Sequence, residues 1–169
     1  MSARADILAA IRSAAVPPAP PAQVPTKLVD RVSGLHDAFL RVLTEVGGHG
    51  VIRAEGQPLE SLLAELLGRA RQEAMVLRGR FAVAENAAVY VDAADLTARN
   101  DIVRAEHLVV IVPFSAIVPT MHEAMRLMPA DSACGWFLSG PSKTADIEQS
   151  LVFGAQGSRT HRVILDRDA

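Results

Sequence analysis

The chain carries a single cysteine, Cys134, in 169 residues, and that scarcity excludes two classes at once. A lone thiol cannot close an intramolecular disulfide, nor can it supply the four thiolates that an iron–sulfur cluster usually takes. Aromatic residues make up only 4% of the sequence, so a core must come from alanine, leucine and valine, the residues of alternating helices and buried strands. Neither charge is in excess: Lys and Arg number 17 and Asp and Glu 19, a formal charge of −2, which leaves nothing to drive sequence-independent nucleic-acid binding. Long hydrophobic runs are missing too. The longest, Leu108 to Pro113, is too short to span a bilayer, and Ile7 to Val16 is interrupted by Arg12 and Ser13, unlike a secretory leader. Together these absences predict a cytoplasmic protein with no membrane span, no nucleic-acid partner and no cofactor of its own.

What is present suits one domain with a substantial core, since half of the residues are hydrophobic. Residues 1–25 read as an N-terminal piece: Ile7, Leu8 and Ile11 mark a short amphipathic helix, and Pro17, Pro18, Pro20, Pro21 and Pro25 mark a polyproline-like arm. A helix and arm of this kind can dock on a neighbour, so a homo-oligomer is one expectation. Residues 26–169 read as a single α/β domain. Leu28, Val32, Leu35, Phe39, Val42, Leu43 and Val46 predict a helix over 27–46, stopped by Gly47 and Gly48. A strand follows at 49–53, and Pro58 opens a helix striped by Leu59, Leu62, Leu63, Leu66 and Leu67 that is expected to reach Ala74.

RFAVAENAAVYVD, residues 80–92, predicts a hairpin turning at Glu85 and Asn86. Residues 107–112 form a buried strand ended by Pro113, and Ile117, Met121, Met125 and Met128 mark a helix. An apolar run at 135–138 leads into Ser139, with a helix expected from about Thr144 and a last strand at 163–165. Strands separated by helices predict a mostly parallel, Rossmann-like sheet covered on both faces, with the antiparallel hairpin added.

Ser139 to Glu148, SGPSKTADIE, is the segment where chemistry is most expected. If a strand hands over to a helix here, backbone donors and the helix dipole converge. Ser139, Gly140, Pro141, Ser142, Lys143 and Thr144 would then cradle a small carboxylate or phosphate, with Asp146, Glu148 and Asn86 nearby. The same residues also read as an ordinary helix start, with Ser or Thr as cap, Pro in the first turn and acids facing the dipole. A Walker phosphate loop is excluded by register, because Gly140 is followed by Pro141, Ser142 and only then Lys143. The five histidines, His36, His49, His107, His122 and His161, are scattered, and His122-Glu123 lacks the second histidine of a zinc-protease helix, with Arg126 in its place. No metal site is therefore expected. Arg99 and Arg104 are lesser candidates for anion contact.

GWFLSGPSKTADIEQSLVFGAQGSRTHRVIL resembles the terminal signature of the C group of the lactate-utilisation (LUD) family, through SGPSKTADIE and then Gly154, Gly157 and Arg159. FAVAEN at 81–86 and IVPTMHEAM at 117–125 extend the resemblance more weakly over most of the chain. The resemblance implies the fold of the ribose-phosphate isomerase and CoA-transferase-like superfamily. It further implies a soluble part in oxidising L-lactate to pyruvate beside separate iron–sulfur subunits, which would hold the clusters. Three departures stand out. The segment before FAVAEN is shorter than usual, Ala87 stands where a glycine is expected, and Gln156 and Ser158 stand where histidine and proline are frequent. CoA transferases of the related fold use a glutamate in a Ser-Glu-Asn-Gly turn as nucleophile, so Glu85 in Ala84-Glu85-Asn86-Ala87 carries an alternative expectation of acyl or CoA transfer. A solvated hairpin turn explains the same two residues.

Overall fold

The computed structural model describes residues 3–14, 34–96, 100–130, 132, 134–145 and 151–169. The proline arm at 16–25, the first part of the 27–46 helix, Arg99, Asp146 and Glu148 lie outside the described residues. Helix α1, Ala3–Ser13, buries none of its residues, and Ile7 and Ile11 are exposed. Helix α2, Leu35–Glu45, buries Ala38, Phe39 and Leu43. It ends as its glycines predict: Gly47 turns left-handed at φ 81°, its N–H donates to the Thr44 carbonyl, and the Gly48 N–H donates to Leu43.

A parallel sheet forms the centre. Its strands β1 (His49–Arg53), β2 (Ala74–Arg78), β5 (His107–Pro113) and β10 (Thr160–Asp166) lie in the order β1-β10-β5-β2. All three pairings are parallel, with Val51 opposite Ile164 and Ile164 opposite Ile111. A second sheet, β6-β3-β4-β7, contains the expected hairpin of β3 (Phe81–Val83) and β4 (Ala88–Asp92), flanked by β6 (Ile117–Val118) and β7 (Gly135–Leu138).

The period-2 alternation of the strands decides the layers. Val109, Ile111 and Ile164 face one side, where Leu62, Leu63 and Leu67 of α3 (Leu59–Leu67) cover them. Leu108, Val110, Val112, Val163 and Leu165 face the other, against Phe39 and Leu43 of α2 and Ala82, Val89 and Val91 of the second sheet. Ile102, from the short helix α4 (Asp101–Arg104), joins that cluster. The outer face of the second sheet packs Phe81, Val83 and Tyr90 against Ala124 of α5 (Met121–Arg126). Each fully buried Leu or Phe contributes roughly 1.5–3 kcal/mol, so the middle layer dominates stability.

Three expected elements change. The helix over 59–74 stops at Leu67, where Gly68 takes φ 51°, and a 3-10 turn leads into β2 at Ala74, which pairs with β5. The helix expected to begin at Ile117 begins at Met121, because Ile117 and Val118 pair with β3 and Thr120 caps the helix by accepting from the Glu123 N–H. Lys143 and Thr144 form strand β8 (Lys143–Thr144), paired antiparallel with β9 (Val152–Phe153), where a helix start is expected. No helix among the described residues is long and apolar enough to cross a membrane.

Candidate functional site

The signature loop lies across the C-terminal end of α2, and its bonds show what each residue does there. Gly140 has φ 71°, and a Cβ on it would stand 2.6 Å from the Val46 carbonyl oxygen. Only glycine fits that place and that angle. Lys143 donates its ammonium to the same Val46 carbonyl, a cation on the negative end of a helix. Ser142 closes the loop from the other side: its N–H donates to the Ser158 carbonyl at 2.9 Å, and its carbonyl accepts from Gly154 at 2.9 Å. Pro141 is buried, near Gly47. Thr144 lies in β8.

Two candidates distant in sequence meet at Ser139. Its Oγ donates to the Asn86 carbonyl at 2.6 Å, while Asn86 Oδ1 accepts from the Ala88 N–H at 3.1 Å, the bond of an Asx turn. Glu85 is exposed, and its Oε2 accepts from the Met121 N–H at 2.9 Å. The carboxylate thus satisfies an otherwise unpaired donor in the first turn of α5, and its contacts are those of a cap. Ala87 takes φ 53° and is fully buried. This is the position where the resemblance calls for glycine, and the left-handed angle is the reason; a Cβ there costs about 1–2 kcal/mol. Gln156 is exposed and Ser158 buried. Arg104 is exposed at the end of α4.

His161 is the residue that sequence reasoning passes over. It sits second in β10 at 1% exposure, and neither ring nitrogen has a hydrogen-bond partner among the described residues. Burial pushes its pKa down to about 4; the Gly140 backbone favours the charged ring and only partly offsets this. The imidazole is therefore neutral at pH 7 and carries two polar atoms that packing leaves unsatisfied, each at about 1–3 kcal/mol. The available signal was strand parity: His161 shares the face of Val163 and Leu165.

A second missed group lies along the same sheet edge. Glu73, Glu106 and His107 bring ligand atoms within 4.8 Å of one another, from the starts of β2 and β5. Glu106 is already paired with Arg159 at 3.1 Å, and His107 Nδ1 lies 2.9 Å from Thr160 Oγ1.

Comparison with known proteins adds an independent line. The model of the LUD domain family matches residues 69–165, a stretch that holds the Glu85-Asn86 turn, the signature loop and His161. Lactate utilization protein C 1 of Bacillus mycoides is 38% identical over 92 residues, covering 50% of this chain and 39% of that protein. Lactate utilization protein C of Anoxybacillus flavithermus is 41% identical over 63 residues, covering 35% and 29%. The chain therefore spans less than two fifths of the length of these curated relatives. The crystal structure of a DUF162 family protein from Deinococcus radiodurans shares the fold, with a TM-score of 0.56 at 15% identity over 78% of this chain and 96% of that one.

Proposed function

The chain belongs to the LUD domain family, and on that footing we propose that it is a soluble component of an L-lactate utilisation system. In this reading it works beside separate iron–sulfur subunits that carry the electrons from lactate to an acceptor. The observation that carries the reading is the match to two proteins named lactate utilization protein C, at 38% and 41% identity. A single cysteine supports the division of labour, because cluster ligation then falls to partners. Beside the signature, Leu151, Val152 and Phe153 are 55%, 38% and 44% exposed; such a patch is a surface that a partner subunit would cover.

The signature loop is, in this proposal, the element that sets the shape of that surface. Gly140 and Lys143 fasten it to α2, Ser139 fastens it to the Asn86 turn, and both attachments are backbone contacts. Glu85 acts as the cap of α5, its carboxylate accepting from the Met121 N–H. The test is a pull-down of the tagged chain from its native cells. Co-purification of iron-containing subunits with L-lactate-dependent dye reduction supports the proposal, and a chain that emerges free of iron and of that activity refutes it.

A further inference from the structure

Three groups at the starts of β2 and β5 take no part in the surface just described. Glu73, Glu106 and His107 come from neighbouring parallel strands, His107 standing in register with Ala74 on one side and Thr160 on the other, and their ligand atoms all lie within 4.8 Å of one another. Their backbones are fixed. The Glu73 N–H donates to the Ala70 carbonyl at 3.1 Å, and the Glu106 carbonyl accepts from the Arg159 N–H at 2.8 Å and the Thr160 N–H at 3.3 Å. Both glutamates are exposed, so their side chains adjust on rigid stems. Of the two carboxylates, Glu106 lies 3.1 Å from Arg159, with side chains 65% exposed on Arg159 and 45% on Glu106, and Glu73 makes no ion pair among the described residues. An exposed pair of that kind is weak, and two carboxylates this close repel unless a cation is shared between them.

The imidazole makes this more than two surface acids. His107 Nδ1 lies 2.9 Å from Thr160 Oγ1, which also accepts from Arg162 Nη1 at 2.9 Å. A hydroxyl oxygen accepts two hydrogen bonds, so a proton on His107 Nδ1 completes Thr160 and leaves the Nε2 lone pair for a ligand. Metal-bound histidines are oriented in this way, one ring nitrogen held by a neighbour outside the ligand set while the other binds. Thr160 is itself held by Arg162 on β10, so two central strands set the ring.

We propose that Glu73, Glu106 and His107 form a site for one divalent transition cation, with His107 binding through Nε2, each glutamate through one carboxylate oxygen, and water in the fourth position. Ligands about 2.0–2.2 Å from a tetrahedral ion stand roughly 3.3–3.6 Å apart, so the three atoms close by about 1.5 Å at most. Glu106 exchanges Arg159 for the ion. A nitrogen beside two oxygens favours Zn²⁺ over Mg²⁺ and Ca²⁺, and the order of divalent affinities puts Zn²⁺ above Mn²⁺. The bound ion ties the start of the edge strand β2, whose sheet neighbour is β5, to the centre of the sheet. The ligands come from separate strands, so no sequence spacing reports them.

The experiment strips the full chain with a chelator, exchanges it into chelator-free buffer and titrates it with Zn²⁺, Mn²⁺ and Mg²⁺ chlorides by isothermal calorimetry, with the thermal midpoint followed in parallel. One equivalent of Zn²⁺ is expected to bind saturably and more tightly than Mn²⁺, to raise the midpoint, and to meet no competition from equimolar Mg²⁺. Glu73→Gln and His107→Ala are each expected to weaken Zn²⁺ by about tenfold or more, and Thr160→Val, which touches no ion, by about tenfold. Arg159→Gln removes the competing cation and is expected to tighten Zn²⁺ by a few-fold, the opposite sign. His122→Ala and Cys134→Ser, elsewhere on the chain, are expected to change nothing. Circular dichroism checks that each variant is folded, and Glu73→Gln, on an exposed side chain, decides the matter if His107→Ala does not fold. Absence of saturable Zn²⁺ binding overturns the proposal. So does Zn²⁺ binding that is unchanged in Glu73→Gln, or binding lost in His122→Ala or Cys134→Ser, which marks an adventitious ion only.

Discussion

The two edges of the parallel sheet are built on opposite principles. At the C-terminal edge Arg53, 12% exposed in its side chain, lies 2.7 Å from Asp166 and 2.9 Å from Asp168, and its Nε donates to the Gln57 carbonyl at 2.6 Å. The buried carboxylate there has its partner. At the N-terminal edge, among the described residues, Arg162 has a hydroxyl and no ion pair, and both nitrogens of His161 are unsatisfied. Ligands in open α/β sheets usually sit beyond the carboxyl ends of the strands. Here Asp166 at that end is paired with Arg53, while His161 at the other has no hydrogen-bond partner among the described residues. The difference sets a buried ion pair that stabilises the fold against a buried imidazole that packing leaves without a bond.

Breaking the closed edge has the largest expected effect. Arg53→Ala leaves the nearly buried Asp166 without its partner, and urea denaturation is expected to show a loss of about 3–5 kcal/mol. A loss within the range of an exposed pair, below about 1 kcal/mol, would place both edges in one class.

His161 gives the next largest effect. Its folded pKa of about 4 lies below the 6.5 of the free side chain, so between those values the unfolded chain binds the proton and the folded chain does not. Stability from this group is complete above about pH 6.5 and falls as pH drops toward 4. At about 1.4 kcal/mol per unit the loss is on the order of 3 kcal/mol. His161→Leu, which removes the titrating ring, is expected to flatten that part of the stability profile relative to the parent.

Gly140→Ala sharpens the contrast at smaller scale. The left-handed angle alone costs a residue with a Cβ about 1–2 kcal/mol, and the contact with the Val46 carbonyl adds to it. Thermal denaturation is expected to show a lowered midpoint, and the His161 profile should shallow as the loop lifts from the ring. The smallest effect belongs to the open edge. Arg162→Ala removes a cation with no carboxylate partner among the described residues, so its stability change is expected to stay within about 1 kcal/mol, far from that of Arg53→Ala.

The legible parts of the sequence were those written in local pattern. β5 is an unbroken apolar run, the hairpin alternates on both arms, and Gly47 and Gly48 end α2 where they should. Strand β2 was hidden because Ala74 to Arg78 follows a helix without a turn signal and owes its conformation to β5. β8 was misread for a related reason: Ser, Pro, Lys and Thr suit a helix start, and pairing with β9 overrides that preference. At the site, the segments were found and their roles were not. Glu85 meets Met121 across 36 residues, Lys143 meets Val46 across 97, and Arg53 meets Asp166 across 113. No spacing rule reports such contacts. His161 and Arg162 could have been assigned to opposite faces from strand parity, but that His161 has no hydrogen-bond partner and Arg162 no ion pair among the described residues appears only in three dimensions.

The most direct test of the account adds this chain to purified iron–sulfur subunits of the same system and measures L-lactate-dependent dye reduction. The account predicts a rate that rises with added chain and saturates near equal stoichiometry. An equal rate and equal stability of the subunits with and without the chain would contradict it.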